Sequence, residues 1–256
     1  MRFSIITPTF RRPDNLKRAV DSLLRQTYKD WEMIIVNDSP DDQSYQSFAS
    51  RINDSRIHYH TNTSNKGVNY SRNFALDKVS ADSKWVIFLD DDDYLAPDAL
   101  QTFHDLIIRN IFGSWLVTNR AYKSGESITI FPHVDTFYNY AWSYLIFKRC
   151  KGDATHCIET KLLTDKSIRF SKNIKQGEEW LLFYQVGLYA KMYYHDHNST
   201  ITEGYASTGL NFRKRGRTEQ FETLSVILYE GGKLNFIYKP SFVVYLFLRF
   251  VRILIK

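Results

Sequence analysis

Trp85-Val86-Ile87-Phe88-Leu89-Asp90-Asp91-Asp92-Asp93 sets five apolar residues directly against four acids. An apolar run this short, rich in residues that favour extended backbone and cut off by charge, reads as a buried strand. The acids then emerge together at its carboxyl end. Two similar runs precede it, Phe3 to Thr9 and Trp31 to Asp38. The segments between the runs carry helical spacing. After Pro13, Leu16, Ala19, Val20, Leu23 and Leu24 fall on one stripe, and after Pro97, Leu100, Phe103, Ile107 and Ile108 follow similar spacing. Proline near each start suits a first helical turn, where no amide donor is needed. Strands alternating with amphipathic helices predict an α/β fold, a Rossmann-type, mostly parallel sheet flanked by helices.

Beyond about Asn110 the alternation weakens into an aromatic-rich stretch (Phe131 to Phe147), a polar stretch (Lys151 to Asn173) and a helix expected from Glu178. No repeat, low-complexity tract or Gly/Ser linker interrupts residues 1–235, which are expected to form one domain with a segment at 236–256 appended. The 256 residues, 43% of them hydrophobic, suffice for one substantial core and exclude bulk disorder. Lys and Arg outnumber Asp and Glu by 34 to 28, which favours an anionic partner. Two cysteines, Cys150 and Cys157, make neither a disulfide framework nor a zinc site, as expected of a reducing compartment. The N-terminal apolar run stops at Pro8, too short for a signal peptide.

In open α/β sheets ligands bind beyond the carboxyl ends of the strands, where the Asp90 to Asp93 cluster emerges. Hard divalent ions take carboxylate and phosphate oxygens together, so such a cluster suits Mg²⁺ or Mn²⁺ holding a diphosphate, against the plainer alternative of a solvated acidic loop. Asp38, at the end of its strand, can accept a hydrogen bond from a base, although Asp-Ser-Pro-Asp is also ordinary turn chemistry. Asn65-Lys66-Gly67 with Ser71-Arg72-Asn73 offers free amides and a guanidinium at a helix start, suited to a pyrophosphate or simply to a helix cap. Glu178 and Glu179 head a further helix, either as dipole partners or as a base for a hydroxyl.

Taken in order, Ser4-Ile5-Ile6-Thr7-Pro8-Thr9-Phe10, Ile34-Ile35-Val36-Asn37-Asp38-Ser39, Asn65-Lys66-Gly67 with Ser71-Arg72-Asn73, Phe88 to Asp93, and Gly177-Glu178-Glu179-Trp180 resemble family 2 of the nucleotide-sugar glycosyltransferases, with the GT-A fold. The resemblance covers roughly the first 190 residues and is specific as a set. It implies a donor half at about 1–110 and an acceptor half at about 111–235. Pro8 and Thr9 then line the donor pocket, Asp38 reads uracil, and Lys66, Gly67 and Arg72 lie by the nucleotide. Asp90 and Asp92 supply an Asp-X-Asp motif, with Asp92 the direct ligand of the divalent cation, Asp90 nearer ribose or sugar, and Asp91 beside the donor. The second acid of the pair, Glu179, takes the place of the catalytic base. The family usually has Asp there, so Glu178 remains an alternative. A histidine common after the following helix is missing from Glu203 to Gly209, and His195 and His197 fit structural roles better.

The implied activity is inverting transfer of a sugar from a UDP-sugar to a glycan or lipid-linked acceptor, of the bacterial surface-polysaccharide type, at the cytoplasmic face of the inner membrane, with no nucleic acid involved. Independently of any family, Arg213-Lys214-Arg215-Gly216-Arg217 is a basic run that suits either a phosphate or solvent. In 241–256, Tyr245, Arg249, Arg252 and Lys256 form a polar stripe on an otherwise apolar helix. That pattern predicts a peripheral helix lying in the membrane interface with the stripe toward headgroups, a core helix being the alternative. Two other classes compete. A nucleotidyltransferase is disfavoured because Pro8 to Pro13 lacks the glycines that wrap a triphosphate. A non-catalytic membrane-docked module leaves both acid clusters unexplained.

Overall fold

The computed structural model describes residues 1–50, 52–109, 113–174, 178–203 and 216–255. The first half follows the expected alternation. Strand β1 (Arg2–Thr9) leads to α1 (Pro13–Leu24), β2 (Trp31–Asn37), α2 (Ser44–Ala49), β3 (Ile57–Thr61), α3 (Val68–Leu76) and β4 (Ser83–Phe88). A short β5 (Asp93–Leu95) and α4 (Ala99–Ile108) close this half. The second half contains β6 (Trp115–Tyr122), β7 (Thr136–Tyr138), a π-helical turn (Tyr140–Ile146), β8 (Ala154–Glu159), α5 (Thr160–Asp165), α6 (Trp180–Gly187), β9 (Met192–Thr202), α7 (Arg217–Lys233) and α8 (Pro240–Ile255).

All these strands join one sheet in the order β3-β2-β1-β4-β8-β6-β9-β5, with β7 on β9. Four of the five strands of the first half, β3-β2-β1-β4, pair in parallel, so β1, β2 and β4 release their carboxyl ends at one edge. Past β4 the sheet is mixed: β8 runs antiparallel to β4 and β6, whereas β6 and β9 are parallel. The parallel pairing expected for most of the sheet therefore lies chiefly in the first half, where helical crossovers separate successive strands.

Side chains alternate across the sheet and build a core on each face. Phe3, Ile5, Met33, Ile35 and Ile87 meet Leu16, Leu23 and Phe103 of α1 and α4 on one side. Ile6, Ile34, Val36 and Val86 belong to the core on the other, which also includes Leu182 and Tyr184 of α6, Ile227 of α7 and Phe242, Tyr245, Leu246 and Ile253 of α8. In α4 it is Leu106 that packs inward, while Ile108 is 64% exposed. Cys150 and Cys157 are both free and buried.

In the C-terminal segment the structure turns the first part of the expected polar stripe inward. Tyr245 is only 8% exposed and the Arg249 head is turned inward, while Val243, Phe247, Leu254 and Ile255 point outward. Tyr245 and Arg249 face the protein because a buried carboxylate, Glu178, is there to meet the guanidinium, whereas Arg252 of the same expected stripe is exposed and Lys256 lies outside the described residues. Among the described residues, no helix is long and apolar enough to cross a membrane.

Candidate active site

At the carboxyl end of β2, Asp38 is nearly buried. It accepts hydrogen bonds from the backbone amides of Lys66 (2.8 Å) and Gly67 (2.7 Å) and from Asn62 Nδ2 (2.7 Å). Gly67 sits at φ 90°, a left-handed conformation that a side chain would strain, and it caps α3. Asp38 thus ties the turn that starts α3 to the end of β2. The Lys66 side chain points to solvent.

One turn further along α3, Arg72 is 7% exposed and joins two acids distant in sequence. Its Nη2 donates to Asp90 at 2.6 Å and its Nη1 to Glu179 at 3.1 Å, while the guanidinium lies over the Phe170 ring at 5.2 Å. Burial opposes the charge on Arg72, but the two carboxylates outweigh it and hold the guanidinium above its ordinary pKa. Desolvation by the surrounding protein works against ionised Asp90 although its side chain is 40% exposed, and Arg72 and then Arg120 keep that carboxyl below its usual range.

The four consecutive acids diverge. Asp91 is 2% exposed and turned under β1, where Thr9 Oγ1 (2.7 Å) donates to it and Arg12 (3.2 Å) pairs with it; burial pushes its carboxyl up to about 7. Thr9 is itself buried between Asp91 and Tyr45, and Pro8 is buried beside it. The side chains of Pro8 and Thr9, expected to line the donor pocket, and of Asp91, expected beside the donor, are thus all buried. Asp92 pairs with Arg12 at 2.7 Å, and Asp93 pairs with Arg120 of β6 at 2.7 Å. Burial also pushes Asp93 up to about 7.

Oxygens of Asp90, Asp92 and Asp93 all lie within 4.8 Å of one another. Three hard carboxylate donors, two of them partly open to solvent, fit Mg²⁺ or Mn²⁺ and suit softer metals poorly. Asp93, beyond the Asp-X-Asp pair, is the third carboxylate of this group. Neither His195 nor His197 belongs to this group: they pair with Asp135 (2.6 Å) and Asp98 (3.3 Å).

The paired glutamates are separated just as sharply. Glu178, at φ 59°, has a side chain 6% exposed, with both carboxylate oxygens held by Arg249 of α8 at 2.6 and 2.7 Å. Glu179 caps α6 and is 39% exposed on the side facing Arg72 and Asp90. Sequence reasoning missed Arg12, Asn62 and Arg120, and placed Asp93 in the acidic cluster without singling it out; the basic ones carried no signal beyond their charge. Gly177, the loop 204–209 and three members of the basic run, Arg213, Lys214 and Arg215, lie outside the described residues.

Residues 4–169 match the sequence model of glycosyl transferase family 2. The chain belongs to that family. This glycosyltransferase is similar to WcaA of Escherichia coli K12, named for colanic acid biosynthesis, at 30% identity over 69% of this chain and 68% of the relative. It is also 34% identical, over 49% of its length and 41% of the relative's, to the Campylobacter jejuni GalNAc(5)-diNAcBac-PP-undecaprenol β-1,3-glucosyltransferase. Among solved structures, Staphylococcus aureus TarS 1–349 in complex with UDP-GlcNAc superposes with a TM-score of 0.74 at 22% identity, covering 90% of this chain and 66% of that one. That likeness establishes the GT-A fold.

Proposed function

We propose that this glycosyltransferase moves a sugar from a UDP-sugar to a hydroxyl of a lipid-linked or surface-polysaccharide acceptor, inverting the anomeric configuration with the help of a divalent cation. One observation carries the proposal: Arg72 bridges Asp90 and Glu179, so a carboxylate cluster suited to a cation and a solvent-accessible carboxylate face each other across one guanidinium. The UDP-GlcNAc bound to TarS and the undecaprenol-linked acceptor in the name of the C. jejuni relative support the choice of donor and acceptor.

Asp90 and Asp92, with Asp93, would hold Mg²⁺ or Mn²⁺, which when bound neutralises negative charge on the diphosphate. Asp38 stands at the base end of the donor site, and the α3 start offers backbone amides to a phosphate. Glu179 takes the proton of the acceptor hydroxyl as its oxygen bonds to the anomeric carbon and the bond from that carbon to the diphosphate oxygen breaks, releasing UDP. One displacement turns an α-linked donor into a β-glycoside. Glu178 is a poor base here, because both its oxygens already accept from Arg249.

Membrane contact belongs to the same proposal in a revised form. The outward apolar face of α8 enters the interface, while Lys148, Arg149 and Arg252, which form no ion pair among the described residues, meet anionic headgroups. Burial and the nearby Arg252 and Arg249 charges hold the Lys148 ammonium below its ordinary pKa.

The test is UDP release and product analysis on Asp92→Asn, Glu179→Gln and Glu178→Gln. Asp92→Asn is expected to abolish transfer with the fold intact, and Glu179→Gln to stop turnover while UDP binding persists. Full activity in excess chelator removes the cation from the proposal. An α-linked product from an α-linked donor removes inversion, and an active Glu179→Gln removes the base.

A further inference from the structure

Glu178 is a non-glycine residue in the left-handed region, next to the residue proposed as the base. L side chains rarely adopt that backbone conformation, and it persists where the surroundings hold it. The surroundings here come from the other end of the chain. Arg249, 71 residues downstream, grips both Glu178 oxygens, with the Glu178 side chain 6% and the Arg249 side chain 20% exposed. Tyr245, one helical turn before Arg249, packs edge-on against Trp180 with ring centres 4.6 Å apart. The Glu178 carboxylate also accepts from the Trp180 indole. Two residues of α8 therefore clamp the residues on both sides of Glu179. The carbonyls of Glu178 and Glu179 accept the first hydrogen bonds of α6, from Leu181 and Leu182 at 3.0 Å each, so a rotation at Glu178 would redirect Glu179.

We propose that Arg249 is a positioning residue for Glu179: its two-point ion pair with buried Glu178 fixes the left-handed turn that aims Glu179 across the site toward Arg72 and the acceptor hydroxyl. The inference rests on Glu179 being the base. It gives α8 a catalytic duty on its inner face, separate from whatever its outer face touches. A fork-shaped guanidinium is required, because a lysine ammonium can offer charge but not two parallel donors in one plane.

The experiment compares steady-state transfer, UDP affinity by calorimetry, melting temperature and binding to phosphatidylglycerol/phosphatidylethanolamine vesicles. Arg249→Met is expected to lower kcat by about 10- to 100-fold while UDP affinity stays within about twofold, since the donor side is untouched. Neutralising both partners, in Glu178→Gln with Arg249→Met, is expected to recover about fivefold or more of the loss, because no buried charge is left unpaired. Vesicle binding by Arg249→Met should match the parent protein. If the methionine variant does not fold, Arg249→Lys serves: a kcat several-fold lower at a near-parental melting temperature is expected. Parental kcat in whichever of Arg249→Met and Arg249→Lys folds, with Glu179→Gln inactive, overturns the inference; so does loss of vesicle binding with kcat unchanged. Turnover by Glu179→Gln would instead overturn the assignment of the base on which the inference stands.

Discussion

Replacing Arg72 by Met tests the electrostatic centre of the site without opening a large cavity, since the methionine stem still covers Phe170. The substitution leaves Asp90 and Glu179 without their shared cation. Stripping one partner from a fully buried ion pair costs about 3–5 kcal/mol. Both acids here are about 40% exposed, so water recovers part of that, and about 2–3 kcal/mol is the expected loss. For a chain of this size such a loss lowers the melting temperature by about 5–10 °C. Scanning calorimetry reads the shift, and UDP release from the donor reads the accompanying loss of activity, expected to exceed about 100-fold because Glu179 loses its orientation. Adding Glu179→Gln in the same chain should return part of the stability, as one of the two stranded charges disappears. A melting temperature within about 1 °C of the parent and normal transfer would refute the argument that Arg72 holds the two acids together.

The other expectations follow from separate parts of the molecule. Asp38→Ala removes the acceptor for the Lys66 and Gly67 amides, so UDP affinity should fall with no gain for GDP; calorimetry showing unchanged UDP affinity would exclude Asp38 from the donor site. Deleting 241–256 removes Phe242, Tyr245, Leu246 and Ile253 from the core and should give aggregated, inactive protein, whereas Phe247→Ser with Leu254→Ser, on the outer face, should keep transfer and lose vesicle sedimentation. Soluble, active truncated protein would contradict that packing. His156 accepts from the Trp115 indole, stacks on Phe183 and is held by burial down to about 3. It therefore stays neutral in the folded protein while the unfolded chain takes up a proton near the ordinary histidine value of 6.5. The stability tied to neutral His156 is present above that value and lost as pH falls toward 3, by at most about 1.4 kcal/mol per pH unit. Urea titrations of His156→Gln against the parent over this range should show a shallower acid loss, and identical slopes would count against it.

Much of the first half of the fold was legible in the chain. Each of β1, β2 and β4 is a short apolar run ended by a polar or acidic residue, and the stripes of α1 and α4 require helices on a sheet. Strand direction then puts Asp38 and Asp90 at one edge, because parallel strands release their carboxyl ends together. The mixed pairing of β8, β6 and β9 was not legible, since their order depends on which edges remained free once the first four strands had packed.

Periodicity identified the residues that share a face of α8, but it could not say whether that face looks in or out. An arginine stripe is stable against headgroups or against a buried carboxylate, and only the fold brought Glu178 within reach of Arg249. The acid quartet behaves in the same way. The sequence determines that four carboxylates leave β4 together. Tertiary structure decides that Asp91 turns under β1 to Thr9 and Arg12, that Asp93 meets Arg120, and that Asp90 shares Arg72 with Glu179. Local sequence sets backbone direction, but a buried charge goes where its counter-charge is, and those partners come from elements far away in the chain.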